Sequence, residues 1–203
     1  PIFLNVGKNR NTANESASAD YLKGILELDA FADAFVINIS SPNTSGLRDL
    51  QGEQYLRDFL MPTLQARRQL QDKTKPILLK LSPDLSVLEQ QMALDVSCEL
   101  GIDGWILTNT TTSRPPQSFF AKEGGLSGKP LGELSKQNLR AAIRHLGSRR
   151  DGKLIVSAGG IFTSADVTER ISMGADLVQM YAALIFEGPF YFRNLSRQLQ
   201  SSP

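Results

Sequence analysis

Short apolar runs that end abruptly in polar residues recur along this chain. The clearest is AFVINISSPNT, residues 34–44, where an apolar run gives way to asparagine, serine and threonine and is interrupted by Pro42. A strand that is apolar on both faces is typical of a parallel sheet covered by helices, and such sheets bind ligands just beyond the carboxyl ends of their strands. We therefore interpret this stretch as a buried strand that opens into a polar site.

The same pattern predicts six strands separated by helices. Strands are expected at residues 2–6, 34–39, 76–81, 104–107, 153–157 and 175–180. Apolar residues at helical spacing predict helices at about 18–28, 53–70, 88–100, 135–146, 164–173 and 189–199, with a kink or a break into two helices at Pro62 and N-caps at Ser135 and Ser164. Strand and helix alternate throughout, which indicates parallel strands joined by right-handed crossovers.

Two architectures fit this alternation: an open doubly wound sheet and a (β/α)8 barrel. The barrel is favoured because polar residues follow all six strands at the same end, whereas an open sheet concentrates its site at one switch point. Six units are two short of closure, and the chain begins inside a strand and without Met. We expect one domain over residues 1–203, an incomplete (β/α)8 TIM barrel with strands 3 to 8, whose first two strands lie upstream.

Composition and charge exclude several classes of function. The 203 residues are 41% hydrophobic and 21% charged, as in an ordinary globular domain. Lys and Arg number 22 against 21 Asp and Glu, so a nucleic-acid partner is not indicated. Cys98 and His145 are the single cysteine and histidine, which excludes a disulfide framework and a Cys/His metal site. No apolar stretch approaches the ~18 residues that cross a bilayer.

The strand ends supply the candidate chemistry. Lys80 ends the strand PILLK, where an ammonium near a barrel interior needs an anionic or electron-rich partner; the alternative is a lysine that extends into solvent. Asn5, Asn38, Asn43 and Asn109 follow three strands, and their amides suit a planar ligand with carbonyl and N–H edges, although asparagine is also common in turns.

Two further stretches are candidates for binding or catalysis. Gly159 and Gly160 precede a predicted helix start at residues 163–164, and barrels bind phosphate after strands 7 and 8; the alternative is a simple tight turn. Ser41 is the candidate nucleophile or base of its loop, although no histidine is near it in sequence and a turn role is the alternative. The residues alone thus indicate a barrel that binds a phosphorylated planar ligand.

Seven stretches, in order and at similar spacing, resemble the dihydroorotate dehydrogenase family of flavin enzymes. The resemblance implies a (β/α)8 barrel that holds FMN and oxidises dihydroorotate to orotate in pyrimidine synthesis. The stretches are NVGKN (5–9), NISSPNTSGLRDLQG (38–52), LLKLSPDL (78–85), GIDGWILTNTT (101–111), GGLSGKPL (124–131), SAGGI (157–161) and GADLVQMYAAL (174–184).

The resemblance also assigns roles to individual residues. Ser41 stands where the family has its catalytic base, and serine rather than cysteine there resembles the quinone-reducing, membrane-associated class. Asn38, Asn43, Asn109 and Thr110 would contact the substrate. Ala182 stands where relatives often have threonine or serine. The positions that would bind FMN are Asn5, Asn38, Lys80, Thr108, Ser127, Gly128, Gly159, Gly160, Met180, Tyr181 and Ala182.

The implied partners are dihydroorotate, orotate, a quinone and a membrane. Membrane contact would come through a region upstream of this chain, at the mitochondrial inner membrane in a eukaryote or the cytoplasmic membrane in a bacterium. Because the first two strands would also lie upstream, we expect this chain alone to be inactive. Two alternatives remain open: an FMN barrel with another substrate, and an inert half-barrel that serves as a binding or assembly partner.

Overall fold

The computed structural model describes residues 1–42, 48, 52–116 and 123–201. Within these residues the chain forms six β-strands and seven α-helices. The strands are β1 (Phe3–Val6), β2 (Ala34–Asn38), β3 (Ile77–Leu81), β4 (Gly104–Leu107), β5 (Leu154–Ala158) and β6 (Leu177–Gln179). The helices are α1 (Ala17–Glu27), α2 (Glu53–Leu64), α3 (Val87–Glu99), α4 (Gly132–Leu146), α5 (Ser164–Ser172), α6 (Ala182–Glu187) and α7 (Tyr191–Ser201).

The strands form one parallel sheet in the order β1-β2-β3-β4-β5-β6. Each strand lies beside its neighbour in sequence, and the helices between them cover one face. This arrangement is a curled half-barrel, and it confirms the predicted incomplete (β/α)8 fold. The carboxyl ends of all six strands meet at the same rim.

The strand register separates an inner from an outer face. Val36 pairs with Leu78 and Asn38 with Lys80, so both polar residues share the face of the two apolar ones. That face is the barrel interior, formed by a small cluster of Ala34, Val36, Leu78, Ile106, Val156 and Ala158. The alternate residues, including Phe35, Ile37, Leu79, Trp105 and Ile155, pack against the helices in the main core. Asn38 and Lys80 therefore face the interior at the rim.

Specific contacts fix α3 against this sheet. Ser86 caps the helix in a capping box, in which its hydroxyl accepts from the Glu89 N–H and the Glu89 carboxylate accepts from the Ser86 N–H. Trp105 on β4 is fully buried, and its indole N–H donates to Ser97 Oγ at 2.8 Å. The bond satisfies a polar group that burial would otherwise leave unpaired.

Some predicted boundaries are wrong because tertiary contacts override the local pattern. Ser135 is not an N-cap: α4 begins at Gly132, and the buried Ser135 hydroxyl donates to the Ala158 carbonyl at 2.6 Å. The cap of α5 is Thr163, one residue before Ser164. Pro62 lies inside α2, and the helix gives way to a 3-10 turn only after Leu64.

The carboxyl-terminal elements also differ from the prediction. Strand β6 is three residues long instead of the six expected, and the predicted single last helix is preceded by the short helix α6. Six residues contain fewer than two helical turns, too few for a helical period to be visible in the sequence. Among the described residues, no helix is long and apolar enough to cross a membrane.

Candidate active site

A cavity of about 430 Å³ lies at the carboxyl ends of β3 to β6. Its size is in the range of small-molecule sites. Leu131, Ala158, Ile161, Phe162 and Gln179 line it although the sequence did not indicate them. The remaining lining residues were all expected to contact substrate or cofactor: Lys80, Thr108, Asn109, Thr110, Ser127, Gly128, Gly159, Gly160, Met180, Tyr181 and Ala182. Candidate residues from four strand ends and the 123–131 loop thus share one cavity.

A second cavity, of about 250 Å³, occupies the barrel interior behind the first. Asn5 at the end of β1 lines this inner cavity together with apolar residues such as Val36 and Ile106. Lys80 lines both cavities. Asn5 therefore lies beside Lys80 but outside the larger cavity.

Lys80 is a half-buried cation that faces these cavities. Its ammonium makes no hydrogen bond or ion pair with any described residue, and burial lowers its pKa. The sequence left open a lysine that extends into solvent, but the Lys80 side chain does not do so. An unpaired ammonium in such a position suits an anionic or electron-rich ligand.

Thr108, next to Lys80 in the cavity wall, carries an unsatisfied hydroxyl. Its Oγ1 is buried and has no hydrogen-bond partner among the described residues. A buried hydroxyl without a partner costs roughly 1–3 kcal/mol. Thr108 lines the larger cavity through its other atoms, because Oγ1 itself is shielded from solvent.

Asn38 at the end of β2 and Asn109 just after β4 are in contact through their side chains. Asn38 Oδ1 accepts from Asn109 Nδ2 at 3.2 Å and from the Ser40 hydroxyl at 3.1 Å. Asn109 Nδ2 also donates to Ser40 Oγ at 3.0 Å, and the Tyr21 hydroxyl donates to the Asn38 carbonyl at 2.7 Å. Ser40 is fully buried and was not predicted as a site residue. Residues 71 positions apart are thereby held in one polar cluster.

Ser41 follows this cluster directly and is half-buried. It does not line the larger cavity, but its neighbours contact residues that do. A Cβ on Gly125 would lie 3.0 Å from Pro42 Cγ and 1.8 Å from Thr110 Oγ1, so the 123–128 stretch packs closely over the loop that carries Ser41. Asn43, the remaining predicted substrate contact, lies outside the described residues.

An ion pair between Arg48 and Asp84 joins the Ser41 loop to two other strand ends. The Arg48 guanidinium donates to Asp84 Oδ2 at 2.6 Å, to the Thr110 carbonyl at 3.1 Å and to the Ser40 carbonyl at 3.4 Å. Asp84 also accepts from the Thr111 hydroxyl and from the N–H and hydroxyl of Thr112. The sequence showed a basic and an acidic residue in separate loops but gave no sign that they meet.

The electrostatics of Asp84 follow from these contacts. Burial raises the pKa of its carboxyl, but the hydrogen bonds from Thr111, Thr112 and Arg48 outweigh burial and leave the pKa below its ordinary value. Asp84 is therefore ionised at neutral pH. The charged pair fixes the exits of β2, β3 and β4 relative to one another.

The Gly159–Gly160 turn closes the opposite side of the cavity. Both glycines have positive φ, and a Cβ on Gly160 would lie 2.2 Å from Gly132 Cα, so the turn packs against the start of α4. No described residue accepts a hydrogen bond from the N–H groups of Gly159, Gly160 or Ile161. The turn thus presents successive free donors, an arrangement typical of anion sites.

The start of α5 does not contribute to this donor set as the sequence suggested. Asp166 Oδ2 accepts from the N–H groups of Phe162 and Thr163, both at 2.9 Å, and Thr163 Oγ1 accepts from the Asp166 N–H. The capping interactions therefore occupy the N–H groups of Phe162, Thr163 and Asp166. Because residues 163–166 do not line the larger cavity, anion binding there would depend on the glycine turn.

Comparison with known proteins identifies the family. The family described as dihydroorotate dehydrogenase matches residues 1–202. The chain belongs to this family. The dihydroorotate dehydrogenase (quinone), mitochondrial, of Mus musculus is 43% identical over 206 residues, which cover 99% of this chain and 51% of that protein. The dihydroorotate dehydrogenase (quinone) of Thermus thermophilus is 41% identical over 197 residues, covering 96% and 54%.

The fold comparison agrees with the sequence comparison. A crystal structure of the dihydroorotate dehydrogenase of Eimeria tenella in complex with ferulenol superposes with a TM-score of 0.87 at 32% identity, covering 97% of this chain and 56% of that one. The family assignment made from the strand-end motifs is thus confirmed. The chain spans about half the length of the curated relatives it matches, 51% for the mouse protein.

Proposed function

We propose that the complete protein to which this chain belongs oxidises dihydroorotate to orotate, with FMN as cofactor and a quinone as electron acceptor. One observation carries the proposal. In a chain of the dihydroorotate dehydrogenase family, eleven of the fourteen residues assigned to cofactor or substrate line one cavity at separate strand ends; Asn5 and Asn38 do not line it, and Asn43 lies outside the described residues. No metal enters the proposal; the described residues contain no group of three or more His, Cys, Asp or Glu that could hold a metal ion.

The residues present fit FMN. The Lys80 ammonium, which has no partner among the described residues, offers a positive charge to an electron-rich ring, and the free N–H groups of the glycine turn suit a phosphate. Bound FMN would supply the acceptor for the hydride that leaves the substrate. The ring would contact Asn5, Asn38, Lys80 and Thr108, and the ribityl phosphate would contact Ser127, Gly128, Gly159, Gly160, Met180, Tyr181 and Ala182.

The asparagine cluster would bind the pyrimidine ring. Asn38 Oδ1 is occupied by Ser40 and Asn109, and Asn109 Oδ1 accepts from the Thr110 N–H at 2.8 Å. The Asn38 amide nitrogen makes no hydrogen bond with a described residue, so its hydrogens remain for a ligand carbonyl or carboxylate. Asn38, Asn109 and Thr110 would therefore orient the substrate, together with Asn43.

Ser41 would act as the catalytic base. It would take the proton from the carbon next to the one that loses hydride. A serine hydroxyl is a poor base, so its own proton must pass to a neighbour or to water as the substrate proton arrives. The Arg48–Asp84 pair would contribute by holding the loop that carries Ser41 against the ends of β3 and β4.

The quinone and membrane parts of the proposal rest on Ser41 and on the relatives. Serine at this position resembles the quinone-reducing class, and the names of the mouse and Thermus thermophilus relatives specify a quinone. Membrane contact, at the mitochondrial inner membrane or the bacterial cytoplasmic membrane, would come through a part of the protein outside this chain. We further propose that the chain alone, as a partial barrel domain, is inactive.

An acceptor assay on the complete protein tests this function. Purified protein is given dihydroorotate with a soluble quinone, with fumarate or with NAD, and orotate formation is followed by its ultraviolet absorbance. We expect turnover with the quinone and little with the other two. Turnover with fumarate or NAD would contradict the quinone assignment, and no orotate with any acceptor would favour an FMN barrel with another substrate or an inert protein.

A further inference from the structure

Arg170 is a buried arginine directly behind the glycine turn of the cavity. It lies on α5, does not line the larger cavity, and is 2% exposed. Its Nη2 donates to the carbonyls of Gly132 and Gly159 at 3.0 and 3.1 Å, and its Nη1 donates to the hydroxyls of Ser135 and Ser157 at 2.8 and 3.0 Å. One side chain thus forms hydrogen bonds with the end of β5, the turn that follows it and the start of α4.

No carboxylate forms a direct ion pair with this guanidinium within the described part of the chain. Glu133 and Glu169 pair with Lys136 and Arg140, and Asp166 accepts the capping N–H groups of α5. Arg170 Nε is buried without any partner. Burial lowers the pKa of Arg170, against the opposing effect of Glu169 and Asp166, but a guanidinium remains protonated in proteins. Arg170 therefore carries a positive charge that has no direct ion-pair partner, although Glu169, Asp166 and Glu133 act on it from farther away.

The contact with Gly159 also orients the donors of the turn. The carbonyl of Gly159 and the N–H of Gly160 belong to one trans peptide and point in opposite directions. Because the carbonyl points to Arg170, the Gly160 N–H points away from it. The same side chain therefore directs a free donor away from itself and adds a charge that attracts an anion.

We propose that Arg170 is a positioning residue that selects a phosphorylated ligand at the Gly159–Ile161 turn. It acts without touching the ligand: its hydrogen bonds hold the turn with its donors outward, and its unpaired charge favours a phosphate in front of them. This inference rests on the proposed function, because it takes FMN as the phosphorylated ligand. Riboflavin, which shares the flavin ring and lacks the phosphate, is the matched probe.

The test compares FMN and riboflavin binding to the apo form of the complete protein, by quenching of flavin fluorescence. Arg170→Gln removes the charge while its amide can still donate to a carbonyl or hydroxyl of the turn. We expect FMN affinity to fall roughly tenfold or more, with riboflavin affinity changed less than about twofold. Arg170→Lys restores a positive charge and should recover most of the preference for FMN. Arg140→Met, which removes an exposed arginine that has only surface ion pairs, is the control for net charge.

The outcomes separate this inference from a structural role and from the proposed function. An equal loss of FMN and riboflavin binding in Arg170→Gln would mean that Arg170 only supports the fold, and an unchanged FMN preference would also overturn the inference. If Arg170→Gln does not fold, Arg170→Met and Arg170→Lys are judged by the same FMN-to-riboflavin ratio. If the wild-type protein binds neither flavin, the FMN assignment itself is wrong. If the wild-type protein prefers FMN and Arg170→Gln keeps that preference, only the role proposed for Arg170 is wrong.

Discussion

Arg48 and Asp84 form an ion pair, with Nη1 and Oδ2 2.6 Å apart, that joins the loop after β2 to the loop after β3. Both side chains are largely buried, at 24% and 16% exposure. The remaining guanidinium nitrogens reach the carbonyls of Ser40 and Thr110, so the pair spans three strand ends beside Ser41. Removing one partner of a buried charged pair leaves the other charge unpaired, which is costlier than losing a surface pair.

Asp84→Asn should therefore impair catalysis more than cofactor binding. We expect the kcat for dihydroorotate oxidation to fall about tenfold, or about 1.4 kcal/mol, because the Ser41 loop loses its anchor while the cavity proposed to bind FMN keeps its lining. Steady-state kinetics and the flavin content of the purified protein provide the two readouts. Glu99→Gln breaks an exposed arginine pair between α2 and α3 and should leave kcat unchanged. Equal kinetics in both variants would contradict the positioning role.

The stability of the protein should depend on Asp84 in acid. Its folded pKa lies below the ordinary value, so its stabilising effect is present above the unfolded pKa, about 4, and is lost as pH falls through the folded value. Urea unfolding at a series of pH values should show a shallower loss of stability below about pH 4 in Asp84→Asn than in the wild type. Parallel curves would mean that Asp84 is not preferentially ionised in the folded state.

Ser41→Ala separates cofactor binding from proton removal. The variant should remain yellow with bound FMN, because no FMN contact is assigned to Ser41, while flavin reduction by dihydroorotate slows by about a hundredfold or more, as for loss of a general base. Stopped-flow absorbance under anaerobic conditions measures the rate. Reduction at the wild-type rate would remove Ser41 from the mechanism.

Lys80→Met should make the apo-protein more stable and should weaken its interaction with flavin. The half-buried ammonium has no partner among the described residues and its pKa is lowered by burial, so replacing it should stabilise the apo-protein at neutral pH by about 1 kcal/mol. Flavin retention or flavin reduction should weaken in the same variant. Lys153→Met is the contrasting control, since the Lys153 ammonium donates to the Ile102 carbonyl at 2.6 Å and its loss should destabilise. A destabilised Lys80→Met with normal flavin chemistry would indicate a purely structural lysine.

Gly160→Ala tests the packing of the turn against α4. The new methyl group would meet Gly132 Cα at 2.2 Å in a backbone with φ +71°, so we expect a loss of roughly 3 kcal/mol or more together with weaker FMN binding. Gly101→Ala has a similar φ of +86° and nothing within 4 Å, and should cost only about 1 kcal/mol. Thermal unfolding and flavin fluorescence distinguish the two. Similar losses in both variants would place the cost in the backbone conformation alone.

The strand pattern predicted the barrel and four residues of the cavity lining, Lys80, Asn109, Gly159 and Gly160, because both follow from local order, whereas the other expected lining residues came from the family resemblance. In a parallel sheet every strand end reaches the same rim, so a polar residue such as Lys80 or Asn109 is placed by the run before it. Because β2 and β3 are apolar on both faces, the register of the sheet was needed to show which of their residues face inward. Residues at strand ends were therefore accessible from the sequence alone.

Residues that act through tertiary contacts were not accessible in this way. Arg48 and Asp84 lie 36 positions apart in loops, and neither loop has a period that would reveal the contact. Arg170 occupies a short polar helix where an arginine is usually solvated, and its burial against the end of β5 and the start of α4 follows only from the tertiary fold. Ser135 failed as a predicted cap for the same reason: its hydroxyl bonds to the strand below the helix.

The most direct test of the account is the visible spectrum of the complete protein under anaerobic conditions, before and after dihydroorotate is added. We predict a flavin band that bleaches with one equivalent of substrate and recovers when a quinone is admitted. A colourless protein would contradict the FMN site at Lys80 and Thr108. A yellow protein whose spectrum dihydroorotate leaves unchanged would contradict the proposed substrate.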